Sequence, residues 1–267
     1  MKFRSWLFVP GNRPERFAKA LDSGADATIL DLEDAVAIAD KIAAREHVRA
    51  WLSAEHPVYV RINAADTPWF ADDVAALSAH PGVAGFVVPK TESADGLRRA
   101  SAGAHRGLKL LPLIETAKAF GALDEIAEAA RVERLLFGTI DFQVDMGIIG
   151  DGDELLYFRS QLTLASRLAG IGAPIDGVTT TLDDPAVIER ETRRARCLGF
   201  RGKLCIHPKQ IAAVHAAFAY TSGEQAWARR VIDAADASGG SAVALDGKMV
   251  DTPVILKAHK ILAASSV

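Results

Sequence analysis

Residues 29–34, ILDLED, begin as an apolar strand and end in three carboxylates, Asp31, Glu33 and Asp34. Charged side chains at the end of a buried strand are where a barrel or an open α/β sheet keeps its chemistry. Two later stretches repeat the pattern. LLPLIE (residues 110–115) ends at Glu115, and RLLFGTID (residues 134–141) ends at Asp141. If the three strand ends converge, they make an oxygen-only site for a hard cation, for which Mg²⁺ is the usual occupant.

Outward from that stretch the chain alternates apolar runs with helical periodicity. Strands are expected over residues 5–9, 27–32, 58–62, 85–89, 108–114, 134–140, 173–178 and 202–206. Helices fill the intervals, including one unbroken helix over 117–130. The longest irregular piece is expected over 142–154, FQVDMGIIGDGDE, where glycine and aspartate turn signals cluster. Polar residues recur at the C-terminal end of nearly every strand, and only a closed barrel brings all those ends to one face. The turn after the first strand, GNRPER, lacks the GxGxxG dinucleotide fingerprint. The expected fold is therefore an α/β TIM (β/α)8 barrel over residues 1–220. A C-terminal helical extension or lid over 221–267 follows. Within it, residues 237–241 are expected to be a hinge, AVALDGKMV a hairpin, and 252–264 a last helix.

The totals narrow the class. A formal net charge of −3 argues against a general nucleic-acid binder. Two cysteines in 267 residues make no disulfide framework, which suggests a reducing, cytoplasmic setting. The first apolar run is too short for a signal peptide, and no run is long enough to span a bilayer.

Each candidate residue has a plainer alternative. Glu115 and Asp141 could ligate a metal or cap the helices that follow them. Three acids as close as Asp31, Glu33 and Asp34 repel one another, so a positive group must lie near. They could bind metal waters, or pair with Arg4, Arg61 or Lys90. Arg61 ends the third strand on the same face and suits bidentate binding of a substrate carboxylate; the alternative is an ion pair with the acids. Lys90 reads as structural, Cys205 as packing, and His207 as a lone hydrogen-bonding histidine. Arg13 and Lys19 are surface charges, or phosphate contacts beside an anionic cofactor. Asp251 is a helix cap, or a proton donor delivered when a lid closes.

The ordered motifs RSWLFVPGNRPERFAKA, LDLEDAV, VRIN, VVPKTES, LLPLIET, FGTIDF, CIHPKQI and LDGKMVDTP resemble the citrate lyase β-subunit-like family of the HpcH/HpaI aldolase superfamily, which includes malyl-CoA and citramalyl-CoA lyases. The likeness runs from about Arg4 to the last helix. It implies a Mg²⁺-dependent TIM barrel that cleaves or forms the C–C bond of a β-hydroxyacyl-CoA thioester. Citryl-CoA, malyl-CoA and citramalyl-CoA are the candidates, giving acetyl-CoA and a 2-oxo acid. By position it implies Glu115 and Asp141 as metal ligands and Arg61 as the carboxylate arginine. Glu33 and Asp34 fall among the acids behind the metal, and Phe8, Arg13, Lys19, Ile140, Ile206 and His207 in the CoA and substrate contacts. Asp251 matches an acid that a neighbouring subunit lays over the site, which implies a homo-oligomer, a trimer or a hexamer. A subunit acting on citryl groups carried by an acyl carrier protein and an aldolase on free 2-keto acids are the alternatives. Neither nucleic acid nor membrane is implied as a partner.

Overall fold

Alternate residues of a strand point to opposite faces, and here both faces are buried, which is why the strands read as near-continuous apolar runs. The computed structural model describes residues 3–238 and 242–265. Its eight parallel strands are β1 (Ser5–Pro10), β2 (Ala27–Asp31), β3 (Val58–Arg61), β4 (Val83–Val88), β5 (Lys109–Ile114), β6 (Arg134–Phe137), β7 (Gly172–Asp176) and β8 (Gly202–Cys205). They form a closed barrel in chain order, with β1 pairing both β2 and β8. This is the TIM-barrel architecture expected from the sequence.

One set of alternating residues fills the barrel: Trp6, Ala27, Ile29, Tyr59, Val87, Leu111, Leu113, Leu136, Ile175 and Leu204. Their neighbours of opposite parity, such as Leu30, Val60, Phe86 and Leu135, are fully buried on the other face. The bulkiest interior pair is Trp6 and Tyr59, with ring centroids 4.8 Å apart. Gly202 makes room for it, because a Cβ there would lie 3.0 Å from both the Trp6 indole nitrogen and the Ile175 side chain.

The chain divides into two compact units, Lys2–His215 and Ala216–Val267. The first holds the barrel. The second has helices Ser222–Ala237 and Thr252–Ser265 and a hairpin of Val243–Leu245 and Lys248–Val250. Its core gathers Ala228, Val231, Val250, Ala258 and Ile261. A capping box opens its first helix, with the Thr221 hydroxyl and the Glu224 carboxylate satisfying each other's backbone N–H groups. Of the hinge expected over 237–241, residues 239–241 lie outside the described residues. No helix among the described residues is long and apolar enough to cross a membrane.

Two expectations are corrected. The sixth strand stops at Phe137, and Thr139–Met146 is a helix, so Phe142–Met146 is not loop and Asp141 sits in a first helical turn rather than at a strand end. The cause is aromatic packing. Phe142 is fully buried, with ring centroids 4.6 Å from Phe158, 4.8 Å from Phe120 and 5.5 Å from Phe137. Gly147, at φ 66°, ends the helix in the left-handed conformation. The single helix expected over 117–130 is two short ones, Ala117–Gly121 and Leu123–Ala127, broken beside Gly121.

Because the Phe142 ring fixes the helix that carries Asp141, Phe142→Ala should destabilise the barrel by about 3–5 kcal/mol. Urea unfolding checks this; a loss below about 1 kcal/mol would show that the aromatic cluster does not set the helix.

Candidate active site

The parity that fills the barrel also builds its upper end. Phe8 follows Trp6 inward, Asp31 follows Ile29, Arg61 follows Tyr59, Glu115 follows Leu113, and Ile206 follows Leu204. With Asp141 and Ile140 from the helix after β6, these residues line one pocket of about 370 Å³. Asp176 is the contrasting case. It too ends a strand, but Ile175 takes the inward position, so Asp176 is buried on the other face and pairs with Arg159 at 2.8 Å and Lys203 at 3.5 Å.

Arg61 is the cation of the acidic cluster. Its Nε and one Nη donate to the two oxygens of Asp31 at 2.7 and 2.5 Å. Its other Nη lies 3.0 Å from Glu33 and 3.6 Å from Asp34. The Nε–Nη edge of the guanidinium is therefore taken by Asp31, which leaves three N–H groups on its two Nη atoms for other partners. The Phe8 ring packs 4.7 Å from the guanidinium carbon. Asp31 also accepts from the backbone N–H groups of Glu33 (2.8 Å) and Ala35 (3.3 Å), which shapes the turn after β2. Behind that turn Lys41, itself buried, donates to the carbonyls of Leu32 (2.8 Å) and Glu33 (2.7 Å). Nothing in the spacing of the sequence marks Lys41 for this. Arg4 plays no part in the cluster; it pairs with Asp26, before β2.

Glu115 is the other centre of the pocket, and only 2% of its surface is exposed. Burial pushes its carboxyl up to about 8; the Lys90 N–H works against this, and the charges of Asp141 and Glu33 add to it. Its Oε1 accepts from the Lys90 backbone N–H at 2.6 Å. On its other side lies Gly138, where a Cβ would come 2.4 Å from Oε2, so only glycine lets this carboxylate lie against the end of β6. Gly138 shares the inward parity of Leu136, and that was the signal by which the sequence could have shown it.

Glu115 and Asp141 are thus two acids facing one pocket, and Glu115 holds its proton more tightly because it is buried, with the Asp141 charge adding to the effect. Such a pair could hold a hard divalent cation, and Mg²⁺ typically takes one or two carboxylates and fills its other positions with water or substrate oxygens. Among the described residues no group of three or more His, Cys, Asp or Glu side chains gathers as a ready-made metal cage.

The remaining candidates divide. Phe8, Ile140 and Ile206 line the pocket, as does Asp34. Arg13 is held in an exposed pair with Glu15 at 2.7 Å, Lys19 is exposed, and neither lines the pocket. His207 caps a short turn by accepting the Lys209 N–H on Nδ1 at 3.1 Å. Glu33 stands behind Arg61 and Lys90 rather than on the pocket wall. Asp251 belongs to the second unit, where its carboxylate accepts from Val254 N–H at 3.4 Å at the start of the last helix. Gln210, not anticipated, ties two strand ends: it accepts from Ile206 N–H at 2.9 Å and donates to the carbonyls of Thr179 (2.8 Å) and Thr181 (3.1 Å).

Known proteins match this chain in sequence and in structure. Residues 4–208 match the HpcH/HpaI aldolase/citrate lyase family, and residues 159–267 match a C–C bond lyase of the TIM-barrel fold. The chain is 38% identical to the citrate lyase subunit beta-like protein of Deinococcus radiodurans, over 97% of this chain and 96% of that one. It is 33% identical to the (3S)-malyl-CoA thioesterase of Cereibacter sphaeroides, over 98% and 94%. Among solved structures it resembles CitE of Mycobacterium tuberculosis in complex with magnesium, acetoacetate and coenzyme A, with a TM-score of 0.89, 35% identity, and coverage of 100% of this chain and 99% of that one.

Glu115 also gives stability a pH dependence. Its folded value of about 8 lies above its ordinary 4.5, so its contribution is full below about pH 4.5 and is lost as pH rises through about 8. Metal-free Glu115→Gln should lose this dependence and be the more stable protein at about pH 8.5, by a few kcal/mol at most. Unfolding midpoints in EDTA across this range check it; parallel profiles for the two proteins would contradict it.

Proposed function

We propose, from the premise that this chain belongs to the HpcH/HpaI aldolase/citrate lyase family, that it is a Mg²⁺-dependent carbon–carbon lyase. Its substrate would be a β-hydroxyacyl-CoA thioester of the citryl-CoA, malyl-CoA or citramalyl-CoA type, split to acetyl-CoA and a 2-oxo acid or formed from them. The observation that carries this reading is the buried Glu115 facing the same apolar-walled pocket as Asp141, with Arg61 beside them. Magnesium and coenzyme A in the related M. tuberculosis protein support it, as does a malyl-CoA thioesterase among the relatives.

In this reading Glu115 and Asp141 would hold the cation. Bound there, Mg²⁺ would supply Lewis acidity to the chemistry in this pocket. Arg61 donates a remaining N–H to a substrate carboxylate oxygen, while Asp31 keeps the guanidinium from turning. Phe8, Ile140 and Ile206 cover the thioester and exclude water from it. As the C–C bond breaks, the substrate hydroxyl gives up its proton to solvent, its oxygen becomes the oxo-acid carbonyl, and the thioester fragment takes the electron pair as an enolate. Asp251, supplied by a neighbouring copy in a homo-oligomer, then exchanges the proton at the acetyl methyl carbon. Arg13, Lys19 and His207, outside the pocket, are the candidates for the distal part of coenzyme A.

Glu115→Ala and Asp141→Ala should each lower Mg²⁺-dependent cleavage by about a thousandfold or more, on the scale of a lost charge-stabilising group. Assaying citryl-CoA, malyl-CoA and citramalyl-CoA in parallel, with EDTA controls, provides the test. Full activity in either variant would overturn the assignment of the cation to these two acids.

A further inference from the structure

Lys90 lies just past β4, outside the wall of the pocket, yet it touches both Glu115 on that wall and Glu33 behind Arg61. Its backbone N–H donates to Glu115 Oε1 at 2.6 Å. Its Nζ donates to Glu33 Oε1 at 2.9 Å. To do both it adopts a φ of 45°, in the left-handed region that a residue with a Cβ enters at a cost. Strain held at such a point, where the surrounding structure over-determines it, is an observation that calls for a functional reading.

We propose, resting on the lyase reading above, that Lys90 is a positioning residue that assigns one oxygen of each acid and so keeps the other available. On Glu115, the Lys90 N–H occupies Oε1. Oε2 is left on the side of Gly138, which lines the pocket with Glu115. On Glu33, Nζ occupies Oε1, so that Oε2 alone reaches Arg61, at 3.0 Å. Without the ammonium group, Glu33 Oε1 is free to join Oε2, which already lies on Arg61 and accepts the Asp34 N–H at 3.2 Å, on the strongest donor beside them. Asp31 already holds one bidentate edge of that guanidinium, Nε with an Nη. A second carboxylate closing over two of the three remaining N–H groups would leave the substrate a single one and no bidentate contact. Lys90 thus keeps Arg61 open by holding Glu33 back. Its left-handed backbone is what lets one residue serve Glu115 with its N–H and Glu33 with its side chain.

Three variants separate this from a merely structural role. Lys90→Ala keeps the backbone N–H and the strain but loses Nζ. Lys90→Gly keeps the N–H and relieves the strain. Lys90→Arg restores a cation. Thermal midpoints, Mg²⁺ affinity by calorimetry, and KM and kcat for the thioester that the wild type cleaves are measured for all of them. We expect Lys90→Gly to melt no lower than Lys90→Ala. Both should bind Mg²⁺ within about threefold of wild type, because the N–H to Glu115 is kept. Both should raise KM at least about fivefold, with Lys90→Arg recovering at least half of that loss on a logarithmic scale (tenfold being 1.36 kcal/mol). A smaller rise in KM for Lys90→Ala and Lys90→Gly, or a rise that Lys90→Arg fails to recover, overturns the proposal. If the wild type cleaves no thioester, the lyase reading fails on its own. Binding of pyruvate in the presence of Mg²⁺ then decides the matter: fivefold weakening in Lys90→Ala upholds the role of Lys90, and unchanged binding overturns it.

Discussion

A strand that points Ile29 into a closed barrel must point Asp31 the same way, and the site depends on that constraint. The interior of the barrel needs apolar side chains at Trp6, Ile29, Tyr59, Leu113 and Leu204. Two residues further along, where the strands run out of interior, the same parity delivers Phe8, Asp31, Arg61, Glu115 and Ile206 to one pocket. Core and site are thus consecutive layers of one pattern. Gly138 belongs to it as well, as the inward position left empty so that Glu115 can lie across it.

Placing acids on the inside creates an electrostatic problem that the chain resolves in two ways. Around Asp31 and Glu33 the charge is met by protein cations: Arg61 with both oxygens of Asp31 engaged, and Lys90 on Glu33. Around Glu115 and Asp141 no side-chain cation is bonded to either acid among the described residues, and burial pushes the Glu115 carboxyl to about 8. One half of the site is electrostatically satisfied and holds its shape; the other half is short of positive charge. That asymmetry is the physical content of the proposal that a divalent cation belongs at Glu115 and Asp141, and it fits a family whose members include citrate lyase subunit beta-like proteins.

Much of this was legible in the sequence because it rests on a period of two. The barrel and the convergence of Glu115 and Arg61 on one pocket follow from apolar runs that end in polar residues. What was not legible depends on contacts between distant segments. The helix that carries Asp141 was expected to be strand and loop, since TIDFQVDM has no capping signature; the ring of Phe142 against Phe120 and Phe158 makes it helical. Lys41 and Gln210 act through hydrogen bonds to backbone carbonyls in other loops, and no local pattern announces those partners. The choice of cation beside the acids was likewise open among Arg4, Arg61 and Lys90 until their positions were known. A sequence shows which residues face inward more readily than which of them meet.

The most direct test of the cation site is crystallographic. Crystals soaked with Mn²⁺, which takes the same oxygen ligands as Mg²⁺ and scatters anomalously, should give an anomalous difference peak in contact with a carboxylate oxygen of Glu115 and one of Asp141. A peak bound elsewhere in the pocket, or no peak beside these two acids at saturating metal, would contradict the account.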